Sequence, residues 1–166
     1  MSNGVTNGQE KVLLTGVSGF IGLHCAKQLI ETGFKVRGTV RSHEKQMQVE
    51  HVMTTHNIDA ESLEFTLLDL TTEAGWEAAM VGCDYVMHVA SPFWIANPKN
   101  EAEMMAPAIE GTLRVLRAAQ KAKVKRVILT SSIVSMMSSI RRGVFTADDW
   151  TDVTYPNLST YIKSKT

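Results

Sequence analysis

The sequence predicts an α/β chain built on a doubly wound parallel sheet. Three observations carry this: five short β-branched and leucine runs, stretches at helical spacing between them, and glycines at the first strand-to-helix turn. Residues 11–15, Lys-Val-Leu-Leu-Thr, form the first strand, and residues 20–31 follow with apolar side chains at helical spacing. Beyond the Gly33 breaker, residues 35–41 read as strand two, 43–56 as a polar helix, 63–68 as strand three and 72–80 as a short helix. Residues 84–89 make strand four, 101–122 a long helix with Pro107 near a kink, and 126–130 strand five. Residues 143–156 break the alternation with acids, aromatics and a proline, so they are expected to form a loop over the ligand edge, carrying Asp148, Asp149 and Trp150.

The totals fit one domain over residues 11–166, preceded by a polar, Gly/Asn-rich leader at residues 1–10 that is expected to be disordered. Seventeen basic and 17 acidic side chains cancel, so no bulk field favours nucleic acid or an anionic membrane surface. No apolar run approaches the ~18 residues of a membrane span and no signal sequence is evident, which makes the cytoplasm the expected compartment. Cys25 and Cys83 stand alone and read as buried thiols, and the offset of His51 and His56 suits no metal site, so no metal is expected. No G-x-S-x-G elbow is present to support a hydrolase triad.

Gly16-x-x-Gly19-x-x-Gly22 falls where strand one becomes a helix. There, glycines let backbone N–H groups approach a pyrophosphate and the helix N-terminus adds positive potential, as in a Rossmann-type sheet. Ser18, Phe20 and Ile21 complete the candidate phosphate turn, with Phe20 and Ile21 also expected to anchor the core. The end of strand two carries Arg37 and Arg41, with Lys45 just beyond and no acid before Glu44. A 2′-phosphate would find charge-assisted donors there and an adenosine diol no acceptor, which favours NADPH over NADH. Asp69-Leu70 closes strand three, where an adenine contact and a helix cap are equally open readings for the acid. Val89, Ala90 and Ser91 end strand four at the edge where open α/β sheets bind ligands, while His88 before them reads as a satisfied core imidazole.

Tyr161 and Lys165 lie one helical turn apart on a common face, and Ser132 follows strand five. A phenol that donates a proton, an ammonium that favours the resulting phenolate and reaches a ribose hydroxyl, and a hydroxyl that orients a carbonyl together suit nicotinamide-dependent carbonyl reduction.

In order and separation, residues 16–22, 36–41, 88–92, Glu110-Gly111-Thr112, 130–132, 148–150 and 161–166 resemble the extended short-chain dehydrogenase/reductases. Within them the likeness is to the dihydroflavonol reductase, cinnamoyl-CoA reductase and yeast-type aldehyde/ketone reductase branch. The resemblance covers nearly the whole chain from Lys11. It implies Ser132 as the carbonyl-orienting residue, Tyr161 as the general acid, Lys165 as its ribose-binding partner and Arg37 facing the 2′-phosphate. It also implies a small-molecule carbonyl substrate. Glu110 stands where related enzymes often have Asn. Family members continue for roughly another domain's length, so the resemblance implies a cofactor-binding portion truncated before the substrate domain, which alone would reduce carbonyls poorly or not at all. Oligomeric state has no signature in the sequence. Two other readings are a nucleotide-sugar epimerase or dehydratase of the same superfamily using NAD, and a non-catalytic nucleotide-binding module.

Overall fold

The protein is described by a computed structural model covering residues 10–93, 97–137 and 143–166. Residues 1–9 of the expected leader lie outside this description. Glu10, placed in that leader by its sequence context, is instead anchored, because its carboxylate accepts hydrogen bonds from the Tyr85 hydroxyl at 3.0 Å and from Lys125 at 2.8 Å.

Five parallel strands form one sheet: β1 Lys11–Thr15, β2 Lys35–Val40, β3 Leu63–Leu67, β4 Tyr85–His88 and β5 Arg126–Leu129, in the order β3-β2-β1-β4-β5. Helices α1 Phe20–Glu31, α2 His43–Thr55, α3 Trp76–Met80, α4 Ala102–Ala122, α5 Val134–Met137 and α6 Thr160–Lys165 complete the described elements, with one 3-10 turn at Ala60–Ser62. Strand β1 is buried on both faces. Leu13 packs with Trp76, Met80, Val86 and Val115 under α3 and α4, whereas Leu14 packs with Val17, Ala26, Val36 and Met53 under α1 and α2. The period-2 alternation of a strand sends adjacent leucines to opposite layers, which is why β1 reads as a continuous apolar run. Each of these leucines, fully buried, stabilises the fold by about 1.5–3 kcal/mol.

Helix α4 buries Met104, Ala108, Gly111, Val115 and Ala118, a 4-3-4-3 spacing that lays one apolar stripe against the sheet. It continues through Pro107 and ends at Lys123, which takes the left-handed conformation with φ 55°. The expected helix over residues 72–80 begins only at Trp76, because Asp69 and Thr72 are tied into a turn and the Thr72 carbonyl accepts the Trp76 indole N–H at 3.0 Å. Residues 143–156 form a loop, as expected, pinned where Thr151 N–H donates to the Ser135 carbonyl at 2.8 Å and its hydroxyl to the Val134 carbonyl at 2.6 Å. Among the described strands β5 pairs only with β4, and its Ile128 and Leu129 are exposed.

The chain leaves β1 toward β2 on one side, while β4 pairs on the other, so a crevice opens above the carboxyl ends of β1 and β4. Arg37 does not reach it. The residue is third in β2 and pairs in register with Leu13 and Glu64. Its guanidinium bonds the Glu64 carboxylate at 3.0 Å and the Ala79 and Val81 carbonyls at 2.7 and 2.8 Å. The expectation that Arg37 faces a 2′-phosphate is therefore corrected: it closes the end of α3, where a cation meets carbonyls left outside the helix ladder. Arg37→Met should lower stability by about 1–3 kcal/mol in urea titration, since it removes a charged donor from the end of α3 and from Glu64, and should leave nucleotide affinity unchanged.

Candidate active site

The first turn of the crevice is built by Gly16–Val17–Ser18–Gly19. Gly16 has φ +71°, and its N–H donates to the Thr39 hydroxyl at 3.1 Å while Gly19 N–H returns to the Gly16 carbonyl at 3.0 Å. A Cβ on Gly22 would stand 2.2 Å from the Gly16 carbonyl oxygen, so only glycine lets α1 start this close to the turn. Gly19 caps α1 with no side-chain hydrogen bond and no acid follows in the first turn, so the helix presents its opening N–H groups to the crevice. Phe20 and Ile21 are 79% and 53% exposed, which overturns their reading as core anchors. They occupy the first two positions of α1, projecting past the sheet, and Phe20 meets His24 edge-on at 4.8 Å.

Beside the turn, Arg41 is exposed one residue past β2, and Lys45 sits in the first turn of α2 with its ammonium on Gln48 at 2.9 Å. Asp69 accepts the Thr71 N–H at 2.7 Å and hydroxyl at 2.6 Å. These bonds, and then the positive charge of Arg41, hold its carboxyl below the usual range. It caps this local turn and not α3, whose N-cap is Gly75. Leu70 packs against the α3/α4 layer. Arg41 and Lys45 thus follow the carboxyl end of β2, and Asp69 follows that of β3.

At the other end, the Thr15 hydroxyl accepts the N–H groups of Val89 and Ala90, each at 3.0 Å. It also meets His88 Nδ1 at 2.7 Å, and His88 Nε2 faces the Thr112 hydroxyl at 3.5 Å. The neighbouring Ser91 hydroxyl receives a hydrogen bond from the Lys165 ammonium. That ammonium also lies 5.4 Å from the centroid of the Tyr161 ring, which stacks edge-on against Phe93 at 5.2 Å. Burial pushes the Lys165 pKa down. Helix α6 is fixed by the Ser159 cap on Ile162, by Thr160 N–H on Asn97 at 3.1 Å and by Lys163 on Glu101 at 2.9 Å. Ser132 is half-buried between β5 and α5, and its carbonyl starts α5 by accepting the Ser135 N–H at 3.0 Å. Glu110 is exposed on α4.

The structure therefore brings Gly16, Ser18, Gly19, Gly22, Val89, Ala90, Ser91, Tyr161 and Lys165 to one carboxyl edge, and keeps Arg37 away from it. Sequence reasoning passed over Thr15, Thr39 and Phe93. Threonines beside the glycine turn and at the matching level of strand two were the available signal, since a buried hydroxyl there must bond backbone. Among the described residues no group of three His, Cys, Asp or Glu could hold a metal ion, and no helix is long and apolar enough to cross a membrane.

A parallel doubly wound sheet, with a glycine turn at its switch point and a Tyr/Lys pair over the same edge, defines the nicotinamide-dependent extended dehydrogenase/reductase class. The sequence profile of the NAD dependent epimerase/dehydratase family matches residues 12–166, and the chain belongs to that family. Anthocyanidin reductase ((2S)-flavan-3-ol-forming) of Vitis vinifera is 36% identical over 152 residues, covering 89% of this chain and 44% of its own. The bifunctional dihydroflavonol 4-reductase/flavanone 4-reductase of Malus domestica is 35% identical over 148 residues, covering 88% and 42%. Among solved structures, Gre2 of Candida albicans in complex with NADPH superposes with a TM-score of 0.77 at 26% identity, covering 94% of this chain and 49% of that one. The reductase branch inferred from the motifs is where these relatives fall, and the chain spans about half their length.

His88 gives the fold an acid-sensitive core. Burial, and secondarily the Lys165 charge, lower its pKa from 6.5 to about 4. The unfolded chain takes up this proton first, so stability is full above pH ~6.5 and declines as pH falls toward 4. Urea titration at pH 5 should give a stability about 2 kcal/mol below that at pH 7, and His88→Asn should flatten that difference.

Proposed function

We propose that the protein to which these residues belong reduces an aldehyde or ketone to an alcohol with NADPH, and that this chain is its cofactor-binding portion. The observation that carries the reading is the Lys165–Ser91 hydrogen bond, which seats the Tyr161/Lys165 pair beside the end of β4 and within reach of the glycine turn. The residues present fit a dinucleotide. Gly16 and Gly22 leave room for backbone N–H groups to approach a pyrophosphate, the uncapped start of α1 favours its charge, and Arg41 with Lys45 would hold a 2′-phosphate. Asp69 and Leu70 would border the adenine, and Val89, Ala90 and Ser91 the nicotinamide half.

NADPH, held by the glycine turn with Arg41 and Lys45, would supply the hydride for the carbonyl carbon. Ser132 donates a hydrogen bond that orients the substrate oxygen, and Tyr161 gives its proton to that oxygen as the C–H bond forms. Lys165 favours the phenolate left behind, and its two N–H bonds not spent on Ser91 can reach a ribose hydroxyl. The NAD-dependent epimerase reading is not adopted, since Arg41 and Lys45 put two cations just past β2, where a 2′-phosphate would be held, and the relatives above are named as reductases.

Arg41→Ala should weaken NADPH binding about 10- to 100-fold in a fluorescence titration and leave NADH unchanged. Wild-type protein binding NADH as tightly as NADPH would sink the 2′-phosphate assignment. In the full-length protein, Tyr161→Phe should lower kcat for a small aldehyde by about 10²–10⁴-fold while the NADPH Kd holds. A kcat within threefold of wild type would remove Tyr161 as the acid.

A further inference from the structure

Thr15, His88 and Thr112 belong to none of the groups assigned above to phosphate, ribose or carbonyl, yet they join β1, β4 and α4 into one directed chain. The Thr15 hydroxyl accepts two backbone N–H groups, from Val89 and Ala90. Both of its lone pairs are thereby used, so its own proton goes to His88 Nδ1 at 2.7 Å. His88 is consequently the Nε2–H tautomer. Its Nε2 faces the Thr112 oxygen at 3.5 Å, and the Thr112 hydroxyl proton is given to the Ala108 carbonyl at 2.7 Å.

Every member has a single workable proton position. Thr15 is fully buried and His88 is 1% exposed, so no solvent is available to take over a lost bond. If His88 could not accept at Nδ1, the Thr15 hydroxyl would have to bury its proton unpaired or rotate a lone pair away from Val89 or Ala90. That rotation matters because the next residues meet the crevice. A Cβ on Gly16 would lie 3.0 Å from Ala90 Cα and Cβ, so the ends of β1 and β4 are already at contact distance, and Ser91 carries the Lys165 bond.

We propose that neutral His88 is a positioning residue for the dinucleotide edge: by accepting the Thr15 proton at Nδ1 it keeps both Thr15 lone pairs on the β4 backbone, and so sets where Ala90 and Ser91 stand against Gly16 and Lys165. The proposal rests on reading this edge as the dinucleotide site. It differs from a packing role because it depends on one acceptor atom rather than on the volume of the ring.

The test compares wild type, His88→Leu and His88→Asn in fluorescence titrations with NADPH and with NADH, alongside Tm. Leu keeps much of the volume without an acceptor, whereas Asn offers a carbonyl oxygen near the position of Nδ1. His88→Leu should weaken both nucleotides about tenfold, equal to ~1.4 kcal/mol, and His88→Asn should recover most of that loss. Wild-type affinity in a folded His88→Leu would overturn the proposal even if Tm fell, and so would a loss confined to NADPH, which points to the Arg41 end. If His88→Leu does not fold, ¹⁵N imidazole shifts of the wild type decide. A bare Nδ1 and protonated Nε2, with the Nδ1 resonance moving as NADPH is added, support the assignment, and a protonated Nδ1 or an Nδ1 resonance indifferent to NADPH overturns it. Wild type binding neither nucleotide would defeat the functional reading and the proposal together, while wild type binding NADPH with a folded His88→Leu unchanged, or with His88→Asn no better than His88→Leu, defeats the proposal alone.

Discussion

The matched ends of β1 and β4 are the constraint on which the rest of the structure depends. These neighbours in the sheet stay close as far as Gly16 and Ala90, and the crevice above them forms only if both strand ends stop at matching heights. Parallel register from Val12 and Tyr85 to Thr15 and His88 brings them level. Glycine at position 16 then removes the side chain that would collide with Ala90. The leucines of β1, buried in opposite layers, fix the strand between the two helical layers.

Charge is distributed by depth along the strands. At the amino end of the sheet Lys125 lies between Asp84 and Glu10, whose carboxylates push its pKa up, and Lys11 pairs with Glu64. Arg37 is spent on the end of α3. Arg41, just beyond β2, carries positive charge out to the crevice rim. The field that could attract a phosphate is therefore local, inside a chain whose formal charge is zero.

The alternation of strands and helices was legible because each run is bounded by a turn residue and buried on a definite face. The grouping of the candidate site was legible too, since the glycine turn, Ser91 and the Tyr161/Lys165 pair have fixed places relative to strand ends and come together in the fold. What misled was distance. Arg37 and Arg41 are four apart in sequence, but in an extended strand that is about 13 Å, and only one can stand at the edge. Phe20 and Ile21 look like core residues by composition, yet the first turn of α1 lies past the sheet where there is no core to enter. His88 was legible as a satisfied core imidazole, but its pairing with Thr15 and Thr112 was not, since these partners lie 73 and 24 residues away.

The strand order also dictates a sequence of events during folding. Contacts between β1 and β2 close loops of about 23 residues, as between Gly16 and Thr39, whereas β1 meets β4 only across 73 residues, as between Lys11 and Asp84. Long closures carry the larger entropic cost and come later. On a ribosome the β1-α1-β2-α2-β3 half, with Leu14, Val36 and Met53 as its nucleus, can condense while β4 is still unmade. Until then the opposite face of β1 is bare, and Leu13 waits for Trp76, Val86 and Val115 to cover it. The crevice is thus born only when β4 arrives, after the β1-β2-β3 half and before β5 closes the described edge.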